Sequence, residues 1–195
     1  MWDRRYDTAR YVYGKEPNQF LVEHLGSLRK GKALCVAEGE GRNAVFLARN
    51  GFTVTAVDSS TVGLQKAQRL AEENGVQIAT VVSDLAHYEI LPDSWDSVIS
   101  VYAHVPKEVR LTLHARIVSG LKKNGIFLLE AYTPEQLKYG TGGPPDVTKL
   151  MALDDLRREL DGLDILLGRE IVREVVEGHL HTGMGAVVQF IGRKP

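Results

Sequence analysis

The sequence predicts an α/β protein, with a mostly parallel sheet of seven strands, helices on both faces and an antiparallel pair at the C-terminal edge. Three observations predict it. Short apolar runs alternate with segments of helical period from Ala33 to Leu129. Two of the runs end directly on an aspartate, Asp58 and Asp84. The last two runs have no helical segment between them, and strands so joined pair antiparallel, whereas parallel strands need a crossover.

The stretch from Met1 to Asn18 carries Trp2, Tyr6, Tyr11 and Tyr13 among charged residues and has no clean period. Pro17-Asn18 opens a helix with Phe20, Leu21, His24, Leu25 and Leu28 on one face, stopped at Gly31. Ala33 to Ala37 reads as a buried strand and Asn43 to Asn50 as a helix closed by Gly51. Phe52 to Val57 is β-branched and strand-like. Ser60 caps a helix running to Asn74, which Gly75 ends. Gln77–Ser83 and Trp95–Tyr102 are strands, and Lys107–Leu121 is a helix. Lys122 to Gly125 is a turn before the fifth strand, Ile126 to Leu129. A Gly/Pro-rich loop, Thr133 to Asp146, follows; long loops of this kind are commonly functional. Leu153 to Leu160 is a short helix, and Ile165–Val176 and Ala186–Ile191 form the terminal strand pair.

Composition bounds the function. With 195 residues, 44% hydrophobic and 25% charged, the chain is neither disordered nor fibrous and reads as a single domain, 1–195. Its 24 basic and 25 acidic residues leave a formal charge of −1, too little to draw nucleic acid or anionic lipid. Cys35 is the only cysteine, so neither an internal disulfide nor a cysteine zinc site is expected. No apolar run approaches the ~18 residues of a membrane span, and Met1 to Tyr6 is too polar for a signal peptide. The expectation is a cytoplasmic monomer or homodimer.

Gly39-Glu40-Gly41-Arg42-Asn43-Ala44 follows the first strand and opens the first crossover helix. There, glycines let the backbone approach a ligand, and the helix N-terminus offers free N–H groups. Asp58 ends the second strand, where a carboxylate can accept from two ribose hydroxyls, and Asp84 ends the third, within reach of an adenine amino group. Together they describe an adenosine-bearing ligand across the strand ends. Gly39-x-Gly41-x-x-Ala44 also fits the dinucleotide fingerprint, so a nicotinamide-dependent oxidoreductase competes. Against it stand the long aromatic segment before the first strand, the terminal antiparallel pair, and the only Tyr-x-x-x-Lys, Tyr11 to Lys15, lying in the N-terminal segment.

The residues resemble the class I S-adenosylmethionine-dependent methyltransferases over nearly the whole chain. Leu34 to Asn43 resembles their cofactor loop, Ala56 to Ser60 the ribose-binding strand end, and Ser83-Asp84-Leu85 the adenine-binding one. Trp95 to Ser100 is similar to the fourth-strand motif, and Leu121 to Ile126 to the turn before strand five. Gly41-Arg42-Asn43, with Trp2, Tyr6 and Tyr13-Gly14-x-x-Pro17-Asn18, resembles the small bacterial branch related to tellurite-resistance and thiopurine-type S-methyltransferases. The resemblance implies a Rossmann-like fold and S-adenosyl-L-methionine as cofactor. It implies cofactor contacts from Trp2, Tyr6, Ala37, Glu38, Gly39, Gly41, Arg42, Asn43, Asp58, Ser59, Asp84, Leu85 and Ser100. Within the chain, 1–30 would form an N-terminal cap, 33–132 the cofactor core, 133–152 a substrate-side loop, and 153–195 a helix and hairpin. Two positions depart from the family pattern: Cys35 replaces the usual acid and Ala37 the first loop glycine. Glu38 then either supplies the anion beside the cofactor amine or faces solvent.

A sulfonium methyl is already activated, so the enzyme chiefly aligns a nucleophile behind it, and no metal is needed. Trp2, Tyr6 or Tyr102 can offer the sulfonium an electron-rich face; packing is the competing role. His104 stands where a general base meets the acceptor, or else is a helix-entry histidine bonding backbone. His179 and His181 share a strand face, but no third metal ligand accompanies them, and His181 can instead reach the acceptor. The expected acceptor is a small molecule methylated at a thiol or other soft nucleophile, with no nucleic acid or membrane partner. A non-catalytic S-adenosylmethionine-binding module is the third reading.

Overall fold

The computed structural model describes residues 1–178 and 181–195. Seven strands form one sheet: β1 (Lys32–Val36), β2 (Thr53–Asp58), β3 (Ala79–Val82), β4 (Trp95–Val101), β5 (Leu121–Tyr132), β6 (Asp164–Val176) and β7 (Thr182–Arg193). Their order is β3-β2-β1-β4-β5-β7-β6. The first five run parallel, while β7 pairs antiparallel with both β5 and β6. The helices are α1 (Trp2–Tyr6), α2 (Gln19–Glu23), α3 (Arg42–Arg49), α4 (Thr61–Glu73), α5 (Lys107–Gly120) and α6 (Leu153–Glu159). The predicted fold class holds: strand order reverses between β1 and β4, and the carboxyl ends of the strands on either side of that switch make the crevice where α/β sheets bind ligands.

Two apolar layers cover the sheet. Leu34, Val57, Val98, Phe127 and Phe190 pack with Leu113, Ile117 and Leu156 of α5 and α6. Cys35, Ala56, Ile99 and Leu128 pack with Phe20, Leu21, Leu47 and Leu64 from the opposite side. The central strands are buried on both faces, which is why they read as continuous apolar runs.

Several elements differ from the sequence expectation. The helix predicted from Pro17 to Gly31 is α2 followed by a 3-10 turn, Leu25–Ser27. Asn18 does cap it, accepting from the Leu21 N–H, but the His24 backbone leaves the helical region at φ −111°. The third strand is shorter than predicted, and the fifth is longer at both ends. Lys122 to Gly125 is a bulge within β5, since Trp95 pairs with Leu121 and Ser97 with Ile126. α1 has no sequence signature; Asp3 holds it by accepting from the Ser60 hydroxyl at 2.6 Å and the Val62 N–H at 3.1 Å. His114 of α5 is buried and bonded to Glu159 at 2.8 Å. The 133–146 loop is pinned rather than free: Gln136 donates to Thr141 Oγ1 and Gly142 O and accepts from the Ala186 N–H.

Candidate cofactor and acceptor site

The bend between β1 and α3 is built by positive φ. Gly41 has φ +93°, and a Cβ there would fall 2.5 Å from Ala67 Cβ and 2.6 Å from Ala67 Cα, so only glycine lets α3 meet α4. Ala37 enters the bend at φ +51°, and Tyr102 leaves β4 at φ +54°. A side chain in the left-handed region costs roughly 1–2 kcal/mol. Both strained residues stand at the carboxyl rim, where such strain is associated with function.

Asp58 faces the bend. Its Oδ2 accepts from Gly39 N–H at 2.8 Å and its Oδ1 from Ser60 N–H at 2.8 Å. Burial raises its pKa, against the pull of these N–H groups. A carboxylate has about four acceptor positions, so these two bonds do not exhaust it.

Glu38 is neither solvent-facing nor simply open to the groove. Its Oε1 accepts from Asn43 N–H at 2.9 Å and Ala44 N–H at 2.8 Å, capping the N-terminus of α3. Burial raises its pKa to about 7 despite those bonds and the nearby Arg42. Cys35, fully buried in the core beside Glu38, does not reach the rim. Arg42 pairs with Glu177. The Asn43 side chain accepts from Asn18 N–H at 2.9 Å. Leu85 puts its side chain in the core. Ser59 and Asp84 are exposed at the ends of β2 and β3, while Ser100 is buried in β4.

The first eighteen residues lie over the bend. Glu40 accepts from Val12 N–H at 2.7 Å and pairs with Lys66. Lys66, buried in α4, also donates to the carbonyls of Tyr6, Thr8 and Arg10. Tyr6 is buried against Gly39 and Gly63, and Trp2 stacks on it with ring centroids 5.8 Å apart. Tyr6 thus occupies the groove above the bend, and a ligand reaching Asp58 there requires this segment to move.

On the acceptor side, β5 ends in Glu130 and Tyr132, beside Tyr102. Glu130, fully buried, accepts from Asn18 Nδ2 at 2.8 Å, from the Tyr102 hydroxyl at 3.0 Å, and from Arg173 and Gln189. Glu177 receives Asn18 Nδ2 at 2.7 Å and the guanidiniums of Arg42 and Arg173. The hydroxyl of Tyr102 is therefore committed, and burial keeps it protonated, leaving its ring as a wall. His104, the expected base, has both ring nitrogens engaged in this arrangement: its Nδ1 bonds Lys149 O at 3.0 Å and its Nε2 accepts from Tyr132 N–H at 3.3 Å. Both ring nitrogens are used by backbone, and burial lowers its pKa to about 4. His181, by contrast, packs among Tyr13, Tyr102 and Tyr132 at centroid distances of 4.7, 4.9 and 5.3 Å. His179, with which it was paired in the sequence reading, lies outside the described residues.

Nothing local in the sequence marks Arg173, Glu177 or the bonds of Lys66 to the carbonyls of the N-terminal segment. No helix among the described residues is long and apolar enough to cross a membrane. A family model described as a methyltransferase domain matches residues 33–125. A curated relative, the uncharacterized methyltransferase YbaJ of Bacillus subtilis (strain 168), is 31% identical over 111 residues, covering 56% of this chain and 44% of that protein. The chain thus spans less than half the length of that relative. A structure from work on the conversion of a disulfide bond into a thioacetal group during echinomycin biosynthesis matches 99% of this chain and 90% of that one, with TM-score 0.80 and 17% identity. TehB from Haemophilus influenzae matches 100% of this chain and 66% of its own, with TM-score 0.76 and 16% identity, a likeness of fold. Glycine bend, rim acids and sheet order agree with the match of residues 33–125 to a methyltransferase domain.

Proposed function

We propose that the protein binds S-adenosylmethionine across the carboxyl ends of β1, β2 and β4 and transfers its methyl group to a small molecule at a thiol or other soft nucleophile. The capping of α3 by Glu38 carries this reading. A dinucleotide needs the N–H groups of that helix N-terminus for its pyrophosphate. Here a carboxylate of the chain already takes two of them, so the site repels a phosphate and attracts a cation. S-adenosylmethionine brings a sulfonium and an amine; a nicotinamide dinucleotide brings two negative charges. Asp58 is assigned the ribose hydroxyls, the backbone from Ala37 to Gly41 the methionine portion, and Ser59, Asp84 and the backbone near Leu85 the adenine. Trp2 and Tyr6 close over the ligand with the N-terminal segment.

The preference for a soft nucleophile follows from the bases at hand. His104 is held by backbone on both nitrogens, and burial and Arg42 bring the pKa of His181 down to about 3. Neither can deprotonate an alcohol at neutral pH, whereas a thiol arrives ionised in a useful fraction. Alignment of that thiolate behind the methyl group supplies the acceleration, up to about 7–11 kcal/mol in well-oriented systems.

Calorimetric titration with S-adenosylmethionine, S-adenosylhomocysteine and NADH tests the reading. Both S-adenosyl ligands bind and NADH does not; tight NADH binding with no S-adenosyl binding would reverse it. Substituting Asp58→Ala removes charge-assisted bonds of about 1.5–3 kcal/mol, so affinity for both S-adenosyl ligands falls roughly ten- to hundredfold. Unchanged affinity would remove Asp58 from the ribose site. Release of S-adenosylhomocysteine with a thiol panel separates an enzyme from a module that only binds the cofactor.

Glu38 sets a pH dependence. An acid whose pKa is raised on folding stabilises the fold below its ordinary value, 4.5, and loses that contribution as pH rises through about 7. A cationic ligand favours the ionised carboxylate, so S-adenosylmethionine affinity rises several-fold from about pH 6 to about pH 8, with proton release on binding. Glu38→Gln flattens the profile; a wild-type profile in that variant would show that another group titrates.

A further inference from the structure

Two polar atoms at the acceptor side are buried and have no hydrogen-bond partner among the described residues: Tyr132 Oη and His181 Nδ1. Unpaired buried polar atoms are few in native proteins, and each calls for an explanation. These two come from different elements, the end of β5 and the residue before β7, yet their rings lie 5.3 Å apart at 78°. Tyr132 is fully buried and His181 is 9% exposed. Their neighbours are satisfied. The Tyr102 hydroxyl bonds Glu130, His104 is held by backbone, and the carboxylates of Glu130 and Glu177 are paired with Arg173 and Arg42.

We propose that Tyr132 and His181 clasp the nucleophilic atom of the methyl acceptor, the phenol O–H and the imidazole Nδ1–H both donating to it. This rests on the methyl-transfer reading above. Tyr13 covers the clasp when the N-terminal segment is down: its ring lies 4.7 Å from that of His181, and its hydroxyl accepts from Arg5 at 3.0 Å. Because that segment also covers the bend, one movement uncovers both the cofactor groove and the clasp.

The protonation states suit donors. Burial and the carboxylates Glu177 and Glu130 hold the Tyr132 phenol protonated, against Arg173 and Arg42. Burial, with Arg42, His104 and Arg5 beyond, keeps the His181 imidazole neutral, with one N–H to give. The carboxylates of Glu130 and Glu177 are matched by the guanidiniums of Arg173 and Arg42, so an anion at the polar edges of the two rings meets no net repulsion. The acceptor enters ionised; its lone pair forms the new bond to the methyl carbon as the sulfonium C–S bond breaks. That electron pair stays on the departing sulfur, S-adenosylhomocysteine leaves uncharged at that atom, and no proton has to move. His181 and Tyr132 fix the nucleophile in line, without acting as bases.

The test uses the full chain saturated with S-adenosylhomocysteine, so that no turnover occurs, and titrates it with 4-nitrothiophenol, whose thiolate is coloured. Wild-type protein binds the thiolate form and lowers the apparent pKa of the probe. Tyr132→Phe and His181→Phe each weaken binding about tenfold or more, the loss of one bond to a charged atom. His181→Asn, which returns an N–H near the place of Nδ1, recovers most of the affinity; a lost base would not be rescued this way. S-adenosylhomocysteine affinity is unchanged in all three. Should His181→Phe melt early, Tyr132→Phe, which removes only a hydroxyl, decides. Equal affinity in Tyr132→Phe and wild type, binding of the neutral thiol, no binding by wild type, or no rescue by asparagine would each overturn the clasp. Wild-type protein that binds neither S-adenosyl ligand defeats the methyl-transfer reading; ligand binding with probe affinity unmoved by the variants defeats the clasp alone.

Discussion

Gly41→Ala is expected to lower the stability of the domain by about 2–5 kcal/mol, the sum of left-handed strain and overpacking. The strain arises because Gly41 sits at φ +93° as the first residue before α3. The overpacking arises because the new methyl would stand 2.5 Å from Ala67 Cβ and 2.6 Å from Ala67 Cα. Neither neighbour can rotate away: one is backbone, and the other is the first carbon of a buried residue in α4. Thermal unfolding should report a melting temperature lower by roughly 5–20 °C, at about 2–4 °C per kcal/mol for a chain of this size. Gly75→Ala is the control. It shares a positive φ of 67° but has nothing within 4 Å of its Cβ, so it carries strain alone. A Gly41→Ala protein that melts with wild type would mean that α3 and α4 do not meet at this bend. The cofactor reading would then lose its geometry.

The second large effect is expected at Glu130. This residue gathers Asn18 from the N-terminal segment, Tyr102 from the end of β4, Arg173 from β6 and Gln189 from β7. Removing one partner of a buried ion pair costs about 3–5 kcal/mol, because the other charge stays buried without compensation. In Glu130→Ala that charge is Arg173, left with Glu177, which already serves Arg42. Denaturant unfolding should show the midpoint falling with little change in slope. Glu130→Gln keeps the shape and one acceptor and should lose less. A loss below about 1 kcal/mol in Glu130→Ala would place the pair among weakly coupled surface bridges.

The rhythm of strands and helices was legible because it depends on local patterns: apolar runs, a capping Ser60, glycines after helices. The bend at Gly39–Gly41 and the acids Asp58 and Asp84 were legible for the same reason, each being fixed by its place at a strand end. Glu38 was legible as an acid in an unusual slot but not in its direction. Whether a side chain turns outward or back onto the helix it precedes depends on how deep the bend lies. His104 misled because its position suits a base, while Lys149 and Tyr132, which occupy its nitrogens, lie 45 and 28 residues away. The network around Glu130 joins positions as far apart as Asn18 and Glu177, a separation of 159 residues. No periodicity encodes such a meeting. α1 fell below notice because its stability comes from Asp3 reaching Ser60 and Val62 rather than from its own five residues.

The placement of β7 between β5 and β6 has a bearing on biosynthesis. Residues 164–176 leave the ribosome before residues 182–193, yet among the described residues their one neighbour in the sheet is the strand still to come. Until it is translated, both flanks of that slot expose unpaired backbone, the kind of edge that recruits foreign chains. Four parallel crossovers can settle early on the nascent chain, but the side of the carboxyl rim where Gln189 meets Glu130 awaits the final segment. Premature termination near Gly178 would therefore leave a sticky fragment that holds the β1 to β5 rim and lacks the strand that joins β5 to β6.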